Sequence, residues 1–323
     1  MDLLLWSVIF IAALALLIKS SDYFIDSAEK FGLYLKLSPV VIGTLILAFG
    51  TSLPELITSS LSVLKNESEI VLGNVLGSNI ANTCLIFGVI LLMKKEKGSL
   101  KFLSFKADNW VVLAVTFLLV YLISDALLPA YESFVLLAGF VLYVLYSVWQ
   151  SRAQELVDDV ETVPEAFPIN SLLILFASGA GIYFGADYTI QSVVKISDIL
   201  GVGKDIIAIT AVALGTSLPE LVVSIVAAKK GSMELAIGNV LGSSIFNILG
   251  VTGISTLLGP VVVSENILYP AVPFLIGITV LSFLIIHFNK PHKFFGILFL
   301  LLYLLFNLDI IFTFSDKYFG QYF

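Results

Sequence analysis

The fold of this chain is decided by a stretch that occurs twice in nearly the same form. The first copy is Ala48-Phe-Gly-Thr-Ser-Leu-Pro-Glu55, and the second is Ala213-Leu-Gly-Thr-Ser-Leu-Pro-Glu220. Each copy puts a glycine, two hydroxyl side chains, a proline and a carboxylate inside a strongly apolar segment. Because buried polar groups cost free energy unless they have partners, both copies need one common functional explanation.

The composition around these stretches is that of a membrane protein. The chain has 323 residues, of which 59% are hydrophobic and 13% are charged, whereas soluble domains carry about 25% charged residues. Repeated apolar runs longer than about 18 residues predict spanning helices, and the short alternating segments of a membrane β-barrel are not seen. The net charge of −7 gives no indication of nucleic-acid binding, and the single cysteine, Cys84, excludes a Cys-rich metal site.

Ten apolar segments of spanning length follow one another in two sets of five. The first set covers approximately 3–29, 38–64, 69–93, 109–124 and 131–149. The second set covers approximately 169–194, 204–228, 234–259, 267–287 and 293–313. We therefore predict an all-α polytopic membrane protein, with a five-helix repeat in 1–149, a short acidic linker at 150–168 and a second five-helix repeat in 169–323.

The two sets are related by a constant offset of 165 residues. This offset separates Glu55 from Glu220 (220 − 55 = 165), and it also relates two copies of Gly-Asn-Val-Leu-Gly-Ser-x-Ile-x-Asn, at 73–82 and 238–247. Because five is an odd number of helices, the second set must enter the membrane from the opposite side, so the repeats are inverted. Inverted repeats with sites on broken helices near the midplane are typical of secondary transporters.

The basic residues indicate the orientation, because positively charged loops stay on the cytoplasmic side. With both termini outside, the cytoplasmic helix ends carry Lys30, Lys36, Lys94, Lys95, Lys97, Lys101, Lys106, Arg152, Lys229, Lys230, Lys290 and Lys293. The outer ends then carry only Lys65, Lys195, Lys204 and Lys317. We therefore predict a multi-pass cell-membrane protein with both termini extracellular. The cytoplasmic linker is either a solvated hinge or a weak cation site.

The repeated motif predicts a cluster of oxygen atoms at membrane depth, where a carboxylate normally faces a cavity or a partner. Pro54 has no N–H, so it leaves a carbonyl near Gly50 without its helical partner, and we expect Gly50 to let the backbone leave helical geometry. A broken helix is tolerated at this depth where it lines a polar cavity. The side chains of the cluster are Thr51, Ser52 and Glu55 in the first half and Thr216, Ser217 and Glu220 in the second.

The second blocks add hydroxyl and amide oxygens four residues apart, which places each pair on one helix face. These pairs are Ser78 with Asn82, and Ser243 with Asn247. Glycines at the same spacing predict close helix packing, and they are Gly73 with Gly77, and Gly238 with Gly242. We interpret Asn74 and Asn239 as hydrogen-bonding braces of this packing, with membership of the site as the alternative.

All candidate ligands are oxygens, which suits hard cations such as Ca²⁺ and Na⁺ and disfavours Zn²⁺ and copper. Mg²⁺ demands tighter geometry and keeps its waters, so it fits less well. Two carboxylates balance one divalent ion or two monovalent ions. If both kinds of ion need the same carboxylates they cannot bind together, and such competition is what an antiporter requires.

The paired Gly-Thr-Ser-Leu-Pro-Glu and Gly-Asn-Val-Leu-Gly-Ser segments resemble the α-repeats of the cation/calcium antiporter superfamily, in its sodium/calcium exchanger branch of prokaryotic type. The resemblance covers the whole ten-helix plan. It implies exchange of Na⁺ for Ca²⁺ by alternating access, with no cofactor, by a monomer in the lipid bilayer. It also implies that helices 1 and 6, which lack the site motifs, slide as a gate against the other helices.

The resemblance further implies roles for individual residues. Glu55 and Glu220 would coordinate Ca²⁺ with the backbone carbonyls of Thr51 and Thr216. The Na⁺ sites would use Thr51, Thr216, Ser78 and Ser243, with the backbone carbonyls of Ala48, Ala213, Ser52 and Ser217. Potassium-dependent relatives carry an aspartate at the position of Asn247. Since Asn82 and Asn247 are both neutral here, the site resembles that of potassium-independent exchangers.

Other functions fit the sequence less well. Calcium/proton exchangers of the superfamily typically carry Gly-Asn-Ala-x-Glu at the first motif, so an H⁺/Ca²⁺ or other divalent-cation antiporter of the same fold is the alternative. A channel would need a continuous pore, which inverted halves with one paired site do not suggest. An enzyme is disfavoured because His-Glu-x-x-His is absent and His287 and His292 are too peripheral to complete a catalytic triad.

Overall fold

The computed structural model describes residues 2–64, 66, 68–93, 105–155, 169–199, 217–262 and 265–319. Nearly all of them are helical, and short π-helical segments, with i to i+5 hydrogen bonds, interrupt three of the helices. The first half consists of α1 (Asp2–Tyr34), α2 (Pro39–Val41), π1 (Ile42–Leu47), α3 (Ala48–Thr51), α4 (Leu53–Leu64), α5 (Glu69–Ile80), π2 (Ala81–Ile86), α6 (Phe87–Met93), α7 (Lys106–Leu122), β1 (Leu127–Leu128), a 3₁₀ turn (Ala130–Glu132) and α8 (Ser133–Glu155). The second half consists of α9 (Ile169–Ile199), α10 (Leu218–Lys229), α11 (Met233–Phe246), π3 (Asn247–Val251), α12 (Thr252–Leu258), β2 (Val261–Val262), α13 (Glu265–His287) and α14 (Lys293–Phe319).

Several of these helices have the length and composition needed to cross a membrane. Five qualify by themselves, namely Leu3–Tyr34, Glu69–Met93, Ala130–Gln150, Ile169–Thr189 and Met233–Leu258. A bent pair, Pro39–Thr51 with Leu53–Leu64, makes a sixth. The helical, polytopic character agrees with the sequence. The count of ten and the division at the linker stay predictions, because 156–168 and 200–216 lie outside the described residues.

The helix that carries the first motif is broken, as the sequence predicts, but the break lies at Ser52. Its φ of −90° and ψ of 11° interrupt the helix, and the segments on either side meet at 45°. Ser217 has a nearly identical conformation, with φ −89° and ψ 4°. The expectation for Gly50 is wrong, because Gly50 lies inside α3. A β-carbon there would collide with the Phe24 ring of α1, so Gly50 permits close packing and does not bend the backbone.

Segments π1 and α11 cross in close contact. A β-carbon at Gly238 would lie 2.9 Å from the carbonyl oxygen of Val40, and one at Gly242 would overlap the backbone of Thr44. The close packing predicted for this glycine pair is therefore confirmed. The equivalent prediction for Gly77 is untested, because the segment that the repeat would set against it lies outside the described residues.

The long helices α1 and α9 pack against each other along a seam of small residues. A β-carbon at Gly185 would lie 2.8 Å from the backbone nitrogen of Leu17, and one at Gly181 would overlap Ser20. Helix α1 also contacts α10 and π1. The two helices thus form a layer beside the site-bearing helices, which is the arrangement expected for helices 1 and 6.

Loops that the inverted topology puts on one side of the membrane meet in the structure. Strands β1 and β2 pair antiparallel, with Leu127 opposite Val262 and Leu128 opposite Val261. The Val262 N–H donates to Ser68 Oγ at 3.2 Å. These loops follow the second, fourth and eighth predicted helices, which all end on the same side. The all-α prediction missed this pairing, because two-residue strands carry no periodicity.

We predict that Gly242→Ala destabilises the protein. The new β-carbon meets backbone atoms, which cannot rotate away, so the cost should reach about 1–3 kcal/mol. Gly277→Ala is the matched control, because a β-carbon there meets nothing within 4 Å among the described residues. Thermal unfolding in detergent should show a lower melting temperature for Gly242→Ala only. Equal melting temperatures would contradict the close crossing.

Candidate functional site

Both carboxylates of the repeated motif are buried in the first turn of a helix. Glu55 is the third residue of α4 and Glu220 is the third residue of α10, and both side chains are 0% exposed. The unpaired N–H groups and the dipole of a helix N-terminus favour negative charge. The break at Ser52 creates the first N-terminus, and Ser217 caps the second. The local sequence therefore puts each carboxylate where a buried charge is best tolerated.

Hydroxyl groups contact both carboxylates, and one of them does so across the two halves. Ser52 Oγ donates to Glu220 Oε1 at 2.8 Å, which joins the first motif to the second. Ser78 Oγ, from the second block, donates to Glu55 Oε1 at 3.4 Å. Glu220 Oε2 is buried and accepts no hydrogen bond from any described residue. The structure thus brings Ser52, Glu55, Ser78 and Glu220 together.

Thr51 makes a second contact between the halves. Its Oγ1 lies 3.3 Å from the Ala48 carbonyl oxygen, 3.2 Å from Asn239 Oδ1 and 3.5 Å from Ser243 Oγ. A hydroxyl has one proton to donate, so the Ala48 and Asn239 oxygens compete for it, whereas the Ser243 hydroxyl can itself donate to Thr51. Three residues that the sequence assigned to the site, Ala48, Thr51 and Ser243, are therefore neighbours. Asn239 joins them through its side-chain oxygen.

The two block asparagines make the same hydrogen bonds in both halves, as the bracing interpretation predicts. Asn74 Nδ2 donates to the Glu55 carbonyl at 3.3 Å and to Ser59 Oγ at 2.9 Å. Asn239 Nδ2 donates to the corresponding glutamate carbonyl at 3.4 Å and to Ser224 Oγ at 3.0 Å. Sequence reasoning missed both serines. The sequence feature that could have identified these serines is their position, because each lies four residues after its glutamate.

Asn82 and Asn247 lie fully buried in π-helical segments one turn beyond the block serines. Asn82 is in π2, and Asn247 begins π3. Neither side-chain amide forms a hydrogen bond with another described residue. A buried polar group without a partner costs about 1–3 kcal/mol, and π-helical turns are frequent at functional sites. Both amides are therefore suited to bind an ion or a water molecule.

One further predicted site residue, Ser217, is not joined to this network by a hydrogen bond among the described residues. Ser217 Oγ is buried and has no hydrogen-bond partner within the described ranges, although the equivalent Ser52 binds Glu220. Both serine carbonyls already accept one helical N–H. Ala213 and Thr216 lie outside the described residues.

The donor set consists of oxygens. Among the residues that the structure describes, no three His, Cys, Asp or Glu side chains come together. A cation here would thus need hydroxyl, amide and carbonyl oxygens in addition to carboxylates, which are donors that Ca²⁺ accepts. Both histidines lie elsewhere, since His287 stacks on Phe283 with ring centroids 5.3 Å apart and His292 Nδ1 accepts the Phe294 N–H.

A broken helix with a buried carboxylate in the first half, and a helix N-terminus with a buried carboxylate at the equivalent place in the second, are typical of the class of secondary transporters. The sequence profile of the family "Sodium/calcium exchanger protein" matches residues 5–149 and 170–312. The chain belongs to this family.

Individual relatives agree with the family. The sodium/calcium exchanger MaX1 of Methanosarcina acetivorans is 32% identical over 320 residues, which cover 86% of this chain and 90% of the relative. The inner membrane protein YrbG of Escherichia coli is 28% identical over 271 residues, covering 80% of this chain and 81% of that protein. A structure of the sodium-calcium exchanger NCX_Mj, soaked with Na⁺ and Sr²⁺, superimposes with a TM-score of 0.80 at 29% identity. The superposition covers 94% of this chain and 97% of the other.

We predict that Ser52→Ala destabilises the ion-free protein and that Ser217→Ala does not. Ser52→Ala removes the hydroxyl that binds Glu220, and hydrogen bonds to charged groups contribute about 1.5–3 kcal/mol. The Ser217 hydroxyl has no described partner to lose, so its removal should cost less than about 0.5 kcal/mol. Thermal unfolding in a sodium- and calcium-free buffer measures both variants. A loss for Ser217→Ala as large as for Ser52→Ala would contradict the hydrogen-bond pattern.

Proposed function

We propose that this protein is a secondary antiporter that exchanges Na⁺ for Ca²⁺ across the cell membrane by alternating access. The observation that carries the proposal is the pair of fully buried carboxylates, Glu55 and Glu220, which accept hydrogen bonds from the Ser78 and Ser52 hydroxyls, respectively. Membership of the sodium/calcium exchanger family supports the same ions as substrates. No cofactor takes part in the exchange.

The two ions compete for one set of ligands. Two carboxylates carry a charge of −2, which one Ca²⁺ or two Na⁺ neutralise, and burial makes an uncompensated charge costly. Binding of one kind of ion therefore displaces the other. The ligands in this proposal are Ala48, Thr51, Ser52, Glu55, Ser78, Asn82, Ala213, Thr216, Ser217, Glu220, Ser243 and Asn247.

In this proposal the chain lies in the cell membrane with both termini outside and works as a monomer. Its units are the repeats 1–149 and 169–323, with the linker 150–168 in the cytoplasm. The excess of basic residues at the predicted cytoplasmic ends supports the orientation. The relative named as an inner membrane protein supports the cell membrane as the location.

The layer of α1 and α9 is the moving gate in this proposal. An ion pair ties the layer to the site-bearing helices, with Lys230 Nζ 2.7 Å from Asp26 Oδ1 and 3.1 Å from the Asp22 carbonyl oxygen. These side chains are partly exposed, and such pairs contribute little net stability. The contact can therefore break and re-form as the layer slides.

Replacing either buried glutamate should abolish exchange. In proteoliposomes loaded with Na⁺, uptake of ⁴⁵Ca²⁺ driven by the Na⁺ gradient should fall at least about tenfold in Glu55→Gln and in Glu220→Gln, because each loses a charged ligand. The matched controls are Glu69→Gln and Glu234→Gln, a pair of exposed glutamates with the same 165-residue offset. They should transport normally.

Parallel gradients separate the coupling ions in the same vesicles. Uptake with Na⁺ alone, unchanged by K⁺, is the expected result, since Asn82 and Asn247 are neutral. Uptake driven only by a pH gradient would show that the coupling ion is H⁺ and not Na⁺. No uptake under any gradient would overturn the calcium assignment.

Cross-linking the layer to the site-bearing helices should stop transport without removing Ca²⁺ binding. Asp26→Cys with Lys230→Cys, joined by a short bifunctional thiol reagent in a Cys84→Ala background, tests this step. Each cysteine alone, treated with the same reagent, is the control. Only the double variant should lose ⁴⁵Ca²⁺ uptake on treatment. Normal uptake after complete cross-linking at Asp26 would refute a sliding layer.

A further inference from the structure

Three carboxylates are buried among the described residues, and one of them plays no part in the site above. Glu55 and Glu220 form the pair, and the third is Asp108, which is 6% exposed and lies in the first turn of α7. An ionisable group held away from water near or within a membrane is costly, and such groups usually mark a function. Asp108 therefore needs its own explanation.

Asp108 belongs to a cluster of four buried oxygen-bearing side chains from three parts of the fold. Tyr143 Oη, on α8, donates to Asp108 Oδ1 at 2.9 Å. The side chains of Thr44, on π1, and Ser147, on α8, lie near the same Tyr143 hydroxyl. All four residues are less than 9% exposed. Ser147 Oγ is buried and has no hydrogen-bond partner within the described ranges.

Among the described residues, no basic side chain balances the charge of this cluster. Within the described ranges the ion pairs involve Asp22 and Asp26, and no lysine, arginine or histidine pairs with Asp108. The Tyr143 hydroxyl donates a hydrogen bond but carries no positive charge. A buried carboxylate in such surroundings must be neutralised, and either a bound cation or a proton can do this.

The second half of the protein lacks two members of this cluster. At the 165-residue offset, the counterparts of Thr44 and Asp108 are Ile209 and Pro273, and neither bears a side-chain oxygen. The fold therefore does not require the polar cluster, and the first half has it in addition.

We propose that Thr44, Asp108, Tyr143 and Ser147 form a binding site for one monovalent alkali cation, separate from the Glu55–Glu220 pair. The donors are oxygens, which hard cations prefer. One carboxylate supplies a single negative charge, which neutralises a monovalent ion but only half of the charge of a divalent ion. The hydroxyl of Ser147, which has no described partner, supplies a neutral ligand.

The site also touches the helix crossing that carries the ligands of the main pair. The Thr44 backbone packs against Gly242, which precedes Ser243. Thr44 and Thr51 are seven residues apart, about 10 Å along a helix. A cation at Asp108 would therefore hold π1 in place next to α11, two turns away from Thr51.

The test uses purified protein in which the main pair has been removed. The background is Glu55→Gln with Glu220→Gln, which takes away the charged ligands of the main pair. Trp6→Phe and Trp149→Phe leave Trp110, two residues from Asp108, as the single fluorophore. Na⁺ is titrated against choline at constant ionic strength, and Trp110 fluorescence and thermal stability are both recorded.

We expect a saturable Na⁺-dependent change in fluorescence and a rise in melting temperature in this background. Asp108→Asn, which keeps an oxygen to accept the Tyr143 hydrogen bond, should abolish both. Ser147→Ala should raise the half-saturating Na⁺ concentration roughly tenfold, as expected for the loss of one ligand worth about 1.4 kcal/mol. Asp125→Asn alters an exposed aspartate and should change nothing.

Two results would overturn the proposal. One is the absence of any Na⁺ response in the background, and the other is a response that survives both Asp108→Asn and Ser147→Ala. A response to pH alone, lost in Asp108→Asn, would mean that a proton neutralises the carboxylate and would also reject the alkali-cation site. Because the background protein cannot exchange calcium, the outcome does not depend on whether the proposed antiport is correct.

Discussion

Two glutamate side chains that are held away from water set the requirements for the rest of this structure. Removing a carboxylate from water costs several kcal/mol unless other polar groups replace the water. The protein meets this need with three features: the helix N-termini that follow Ser52 and Ser217, hydroxyl donors, and asparagine braces. The close crossing of π1 and α11, which the glycines of α11 permit, brings these groups near one another.

The inverted repeat meets this requirement twice, but the two halves differ in detail. The asparagine braces agree within 0.1 Å, at 3.3 and 2.9 Å in one half and 3.4 and 3.0 Å in the other. In contrast, Ser52 binds the opposite glutamate, whereas the hydroxyl of Ser217 has no described partner. Such a difference is expected for alternating access, because inverted halves must adopt unequal conformations whenever one side is closed.

The sequence predicted features that depend on residues close together in the chain better than features that depend on contacts between helices. The broken helix was predictable because the missing N–H of Pro54 acts within one turn. The role of Gly50 was misread because conformational freedom says nothing about which neighbour packs on the glycine, here Phe24. Ser59 and Ser224 were overlooked because a serine in an apolar helix gives no signal until its partner is known.

By itself the sequence determined the membrane class, the repeated motifs and the two glutamates at their ends, and it predicts an inverted repeat and a preference for hard cations. Composition, a fixed 165-residue offset and ligand chemistry can all be read along the chain. Only the tertiary structure decided which groups meet. Ser52 reaches Glu220 across 168 positions, and Tyr143 reaches Asp108 across 35. Such contacts depend on the rotation and crossing of separate helices, which residue spacing within one helix does not encode.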